Sequence, residues 1–116
     1  LPTKFKIALN TRIGTSTLLI KRSLIGNQRF SNLKKCQDFE FWMRLSASKD
    51  YKYGVVKKNL TVYSPSGRTS GKFNQLKYVN LALIMNKFNL FQRVFIIFVI
   101  IFKGLKKKSI ESNLKN

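Results

Sequence analysis

Only four carboxylate side chains, Asp38, Glu40, Asp50 and Glu111, stand against 23 Lys and Arg in this chain. Two of the four fall in one stretch, Cys36-Gln37-Asp38-Phe39-Glu40-Phe41-Trp42-Met43-Arg44-Leu45, among three aromatics that include the sole Trp. An acid set among apolar rings needs a partner or a task, because an unpaired buried charge is costly. At helical spacing Asp38, Phe41, Trp42 and Leu45 share a face. Glu40 points elsewhere and can pair with Arg44 at i+4. Asp38 therefore sits at the start of a helix, on the side that packs inward. Two readings of it stand. Asp is a preferred N-cap, and a carboxylate at a helix start is favoured by the backbone N–H groups and the dipole. The same position also suits a single base at the edge of a site.

The remaining composition narrows the chemistry. At 116 residues and 44% apolar content, the chain is one domain or part of one, with enough apolar material for a core. It begins at Leu1, and the reading is that of a fragment. A lone cysteine, Cys36, excludes an intrachain disulfide. The absence of His from these residues removes the commonest general base, the Ser-His and Cys-His arrangements and most zinc sites. A net charge of +19 implies anionic partners: nucleic acid, phosphate-bearing substrates or an acidic membrane surface. Abundant Lys, Asn, Ile and Phe also fit a coding bias, which weakens the charge as a functional signal.

Along the chain, residues 5–9 read as a strand or a helix end. Residues 15–20 are β-branched and increasingly apolar, which predicts a strand. Residues 21–26 read as a short helical turn, with Ser23 as candidate cap and Gly26 as stop. A basic loop over residues 27–35 then leads to the helix at Asp38, which runs to Ala47 or Ser48. Residues 51–56 and 60–63 are strand candidates. Residues 64–71 form an irregular loop whose only charge is Arg68. That loop is either a connector or a phosphate contact.

Residues 74–88 read as a helix, with a stripe of Leu76, Val79, Leu83 and Lys87 widened by Tyr78, Leu81 and Met85. Asn89 breaks it. The apolar run over residues 94–102 is followed by Lys103 and by Lys106, Lys107 and Lys108. A membrane span needs about 20 residues, so this run is too short to be one. It packs against protein outside this chain, or it dips into a headgroup region where the lysines meet anionic lipid.

Several of these pieces together resemble family 2 glycosyltransferases. Gly14-Thr15-Ser16-Thr17-Leu18-Leu19-Ile20-Lys21-Arg22-Ser23-Leu24 is similar to the family segment in which a strand follows a Thr/Ser-containing loop, and Phe30 resembles the Phe beyond it. Gln37-Asp38-Phe39-Glu40-Phe41-Trp42-Met43-Arg44-Leu45 is similar to the family's acidic motif. Leu60-Thr61-Val62-Tyr63 and the loop after it resemble the segment that closes the catalytic domain. Order and spacing agree over residues 13–70.

The resemblance implies an α/β fold: a partial GT-A nucleotide-diphospho-sugar transferase domain, with a few strands and packed helices, followed by C-terminal helices. Residues 1–73 would be the acceptor-side part of the catalytic domain, and residues 74–116 the helices with the basic tail. The implied activity is inverting transfer of a sugar from a nucleotide-sugar donor to a glycan or lipid-linked acceptor hydroxyl, in bacterial surface polysaccharide or lipopolysaccharide synthesis. Asp38 would be the catalytic base. Thr15, Ser16, Glu40, Trp42, Arg68 and Ser70 would contact substrate, although a core position for Trp42 stands equally open.

A divalent metal, Mg or Mn, is implied for the full enzyme, but the family's Asp-x-Asp motif does not occur in this chain. Where many members carry an Arg and a His after the closing Tyr, this chain has Ser64 and Ser66. The expected location is cytoplasmic, peripheral on the inner face of the membrane. The alternatives are a basic nucleic-acid-binding module and a membrane-surface adaptor without catalysis. Neither a concentrated basic stripe nor a known nucleic-acid motif is present, and nucleic acid is not the expected partner.

Overall fold

The computed structural model describes residues 3–10, 13–48, 50–58, 60–62 and 72–113. Its elements are α1 (Thr3–Leu9), a 3-10 turn (Thr15–Thr17), α2 (Arg22–Ile25), α3 (Gln37–Leu45), α4 (Lys72–Met85) and α5 (Leu90–Asn113). α1 packs on α3 and α5, α3 on α4, and α4 on α5. One apolar cluster joins them: Ile7 and Ala8 from α1, Phe41, Trp42, Met43 and Leu45 from α3, Val79, Ala82 and Leu83 from α4, then Phe88, and Ile96 from α5. The core therefore draws on both sides of the boundary placed at residue 73.

The fold class is all-helical, which corrects the α/β expectation. No strand occurs among the described residues. The predicted strand at 15–20 opens instead with a 3-10 turn, closed by Thr17 N–H to Gly14 O at 3.0 Å and by the Thr17 hydroxyl to the same oxygen at 2.7 Å. Short hydroxyl side chains offer the backbone such local partners and so compete with a ladder. Residues 51–56 and 60–62 are irregular. Val55 is 76% exposed and Val62 fully exposed. Alternating β-branched residues make a strand only where a neighbouring strand and a buried face receive them, and the described residues provide neither.

The helices are set by their ends as well as their stripes. α4 buries Val79, Ala82 and Leu83, with Asn86 buried just beyond its end, while Leu81 and Met85, expected to widen the stripe, face outward. It ends in a Schellman motif. Phe88 N–H reaches Leu83 O at 3.1 Å, Lys87 N–H reaches Ile84 O at 2.9 Å, and Lys87 is left-handed at φ 58°. α5 begins at once with a reciprocal cap. Gln92 N–H donates to Asn89 Oδ1 at 2.9 Å, and Asn89 N–H donates to Gln92 Oε1 at 3.1 Å. Asn89, expected to break the preceding helix, instead starts the next one: α4 has already ended at Met85, and its closing turn is made by Lys87 and Phe88.

Candidate active site at Asp38

The first turn of α3 presents the site. Cys36 is the N-cap, in a left-handed conformation (φ 59°, ψ 25°), and its side chain makes no capping bond. The first helical bond runs from Glu40 N–H to Cys36 O at 3.0 Å. Phe39 N–H, one of the amides a helix start leaves without an intrahelical acceptor, donates to Asp38 Oδ1 at 2.8 Å. The second oxygen, Oδ2, accepts the Thr15 hydroxyl at 3.0 Å from 23 residues away in sequence. The two readings of Asp38 are thus divided between its two oxygens. One satisfies a local amide, and the other is presented to a hydroxyl.

Thr15 and Asp38 both line an open cleft of about 320 Å³, together with Phe30, Lys34, Lys35, Cys36 and Gln37. The Gln37 side-chain amide donates to Leu33 O and ties the loop floor to the helix. Phe30, half exposed, links the cleft to the core, with its ring centroid 4.7 Å from that of Phe41 and 6.3 Å from that of Trp42. Cys36 borders the same cleft. Burial, then the Asp38 charge, push its thiol pKa up, against a smaller lowering by Lys35.

The other residues expected at the site divide. Thr15 joins Asp38, whereas Ser16, exposed in the same turn, is not among the cleft residues. Glu40 is 1% exposed, paired with Arg44, and so faces protein rather than substrate. Trp42 is buried edge-on against Phe41, with centroids 5.4 Å apart and planes at 64°, as a core Trp. Arg68 and Ser70 lie outside the described residues. Sequence reading passed over Lys34, Lys35 and Gln37, although they sit within four positions of Asp38 and thus shared its only strong signal.

The donor set does not fit a divalent metal. Asp38 is the single carboxylate at the cleft and has two lysines for neighbours. Hard cations need several oxygen ligands, and the described residues contain no group of three or more His, Cys, Asp or Glu that could hold one. The chain's own Thr15 hydroxyl donates to Oδ2 at 3.0 Å, a distance at which a carboxylate can also serve a hydroxyl as general base. Comparison with family models, curated proteins and solved structures finds no match for this chain.

Proposed function

We propose that this chain forms the acceptor side of a glycosyltransferase site, with Asp38 as general base. Supporting this reading are the acidic motif around Asp38 and, above all, the 3.0 Å hydrogen bond from the Thr15 hydroxyl to Asp38 Oδ2 between two residues that line an open cleft. The all-helical architecture takes no part in it; the proposal rests on the site.

In the proposed step, an acceptor hydroxyl replaces or adjoins Thr15 at Oδ2. Its O–H bond breaks as its oxygen bonds to the anomeric carbon of the donor, and the proton goes to Asp38. The bond from that carbon to the phosphate oxygen breaks, and the nucleoside diphosphate leaves with the electron pair. A hydroxyl is a weak nucleophile until its proton has a destination. The positive charge that Lys34 and Lys35 bring to the cleft lining favours an anionic leaving group beside it.

The test is sugar transfer by the protein as encoded, from nucleotide sugars to glycan and lipid-linked acceptors. Asp38→Asn is expected to lose turnover by at least about 100-fold while donor binding and helical content persist. Near-normal turnover in Asp38→Asn would remove Asp38 from the chemistry. Tight nucleic-acid binding with a steep salt slope, in a protein that transfers no sugar, would favour the alternative class.

A further inference from the structure

α5 is apolar on two sides. Its inner side puts Ile96 into the core, with Ile97 and Ile100 packed against it. Its outer side leaves Leu90, Phe91, Val94, Phe95, Phe98, Ile101, Phe102 and Leu105 exposed, from 43% at Ile101 to 87% at Phe91. These positions recur at three- and four-residue steps, so they form one continuous band along the helix. Over residues 90–105 the band is about 24 Å long at 1.5 Å per residue. Soluble monomers rarely expose contiguous apolar surface on that scale.

We infer that this band seats the protein on an anionic lipid surface, with α5 lying in the plane of the headgroups. Charge decides the occupant. A second copy would bring another +19 against this one, whereas an anionic leaflet complements it. A cation adjoins the band: Lys106, exposed, follows its last apolar residue, and two further lysines, Lys107 and Lys108, come next in the sequence. Lys103 has a different task. Its ammonium donates to Leu9 O at 2.8 Å, which ties α5 to the end of α1. Phe95 stacks on Phe5 with centroids 6.3 Å apart, anchoring the same edge. No helix of the described residues is long and apolar enough to cross a membrane, so α5 is a surface seat rather than a span.

This inference stands apart from the transfer reading, because Asp38 takes no part in it. The test is flotation of the full chain with vesicles of phosphatidylcholine alone or mixed with phosphatidylglycerol, at low and high salt. The wild type is expected to float with the anionic vesicles, at least about tenfold more than with neutral ones and less at high salt. Phe91→Asp/Phe98→Asp is expected to stay at the bottom with an unchanged circular dichroism spectrum, since both side chains are already in water. Asp38→Asn floats like the wild type even if it transfers no sugar. Three results would overturn the inference: wild type left at the bottom with anionic vesicles; the double variant floating like the wild type, which assigns binding to charge alone; or dimerisation by light scattering that the double substitution abolishes, which assigns the band to a second copy.

Discussion

Glu40 and Arg44, one turn apart on α3, form a two-point pair in which the carboxylate is 1% and the arginine side chain 35% exposed. Arg44 Nε donates to Oε1 at 2.9 Å and Nη2 donates to Oε2 at 3.1 Å. The guanidinium also reaches Gln28 Oε1 at 3.1 Å and Arg29 O at 2.7 Å, and lies 5.0 Å from the centroid of the Phe41 ring. From the far side, Asn86 Nδ2 donates to Glu40 O at 3.3 Å, to Glu40 Oε1 at 3.4 Å and to Ala82 O at 3.0 Å. The pair thus joins the loop that carries Phe30, the helix that carries Asp38 and the end of α4. It holds the cleft in shape from behind.

Removing one partner of a buried pair leaves the other charged and unpaired, which costs about 3–5 kcal/mol, whereas an apolar replacement of both can be close to neutral. Arg44→Met is therefore expected to lower unfolding stability by about 3 kcal/mol, discounted toward the low end because the arginine is partly in water. Glu40→Met/Arg44→Met is expected to recover most of that loss. Urea unfolding followed by Trp42 fluorescence measures both. A double variant no more stable than Arg44→Met would mean that the pair acts through its Gln28, Arg29 and Asn86 contacts rather than through charge.

The Schellman motif that ends α4 carries a Lys where glycine is usual. A side chain in the left-handed region costs roughly 1–2 kcal/mol, partly offset in glycine by its greater unfolded-state freedom. Lys87→Gly is expected to stabilise the protein by about 0.5–1 kcal/mol, raising Tm by several degrees. Lys87→Val, β-branched at the same φ, is expected to lower it. Differential scanning calorimetry of the two variants decides the point, and equal Tm values would show that the turn relaxes to suit either residue.

Reciprocal caps at helix starts are worth about 1 kcal/mol on replacement by alanine. Asn89→Ala is expected to lose that amount, because Gln92 N–H then has no side-chain acceptor. Asn89→Ser, which keeps an oxygen in place, is expected to lose a few tenths. Chemical denaturation at neutral pH separates the two. An alanine variant as stable as the serine one would show that water serves the α5 amide equally well.

The helices were readable where a stripe at three- and four-residue spacing meets a core. Phe41, Trp42 and Leu45 on α3 and Val79 and Leu83 on α4 are buried as their spacing implies, and the i+4 pairing of Glu40 with Arg44 follows from position alone. Of the two acids, however, Glu40, expected to point elsewhere, is the buried one, and Asp38, expected inward, is only half-buried. The strands failed because residues 15–20, 51–56 and 60–62 carry a β-branched pattern whose outcome depends on a partner strand, and a propensity cannot announce its partner. Tyr63, the last residue of the expected 60–63 strand, lies outside the described residues. The left-handed residues escaped notice for a related reason. Cys36 stands where α3 starts and Lys87 just past where α4 ends, and the chain's course there, not side-chain preference, sets their left-handed conformation. Asn89 and Gln92 had the spacing of a capping box but not its usual Ser or Thr. At the site, Thr15 and Asp38 were each singled out, yet their contact spans 23 residues. Only the turn that opens at Gly14 and the packing of α3 bring them together.

The thiol of Cys36 reports on Asp38 without any substrate. Burial raises its pKa first and the Asp38 charge second, with Lys35 opposing. Because the folded value lies above the unfolded one, the protonated thiol contributes stability that is fully present below the ordinary value, about 8.5. That contribution fades as pH rises through the folded value. Tyr51 shifts in the same direction, by burial and then by the Tyr53 charge, so stability falls on the alkaline side. Cys36→Ala is expected to flatten the Cys36 part of that fall. Asp38→Asn removes the negative charge beside the thiol, so the thiolate fraction at pH 8 rises and iodoacetamide alkylation of native protein speeds up. The pH–rate curve moves to lower pH at an unchanged high-pH plateau. A rate raised equally at every pH would instead mean that the substitution has opened the cleft, and an unmoved curve would mean that the Asp38 charge does not reach the thiol.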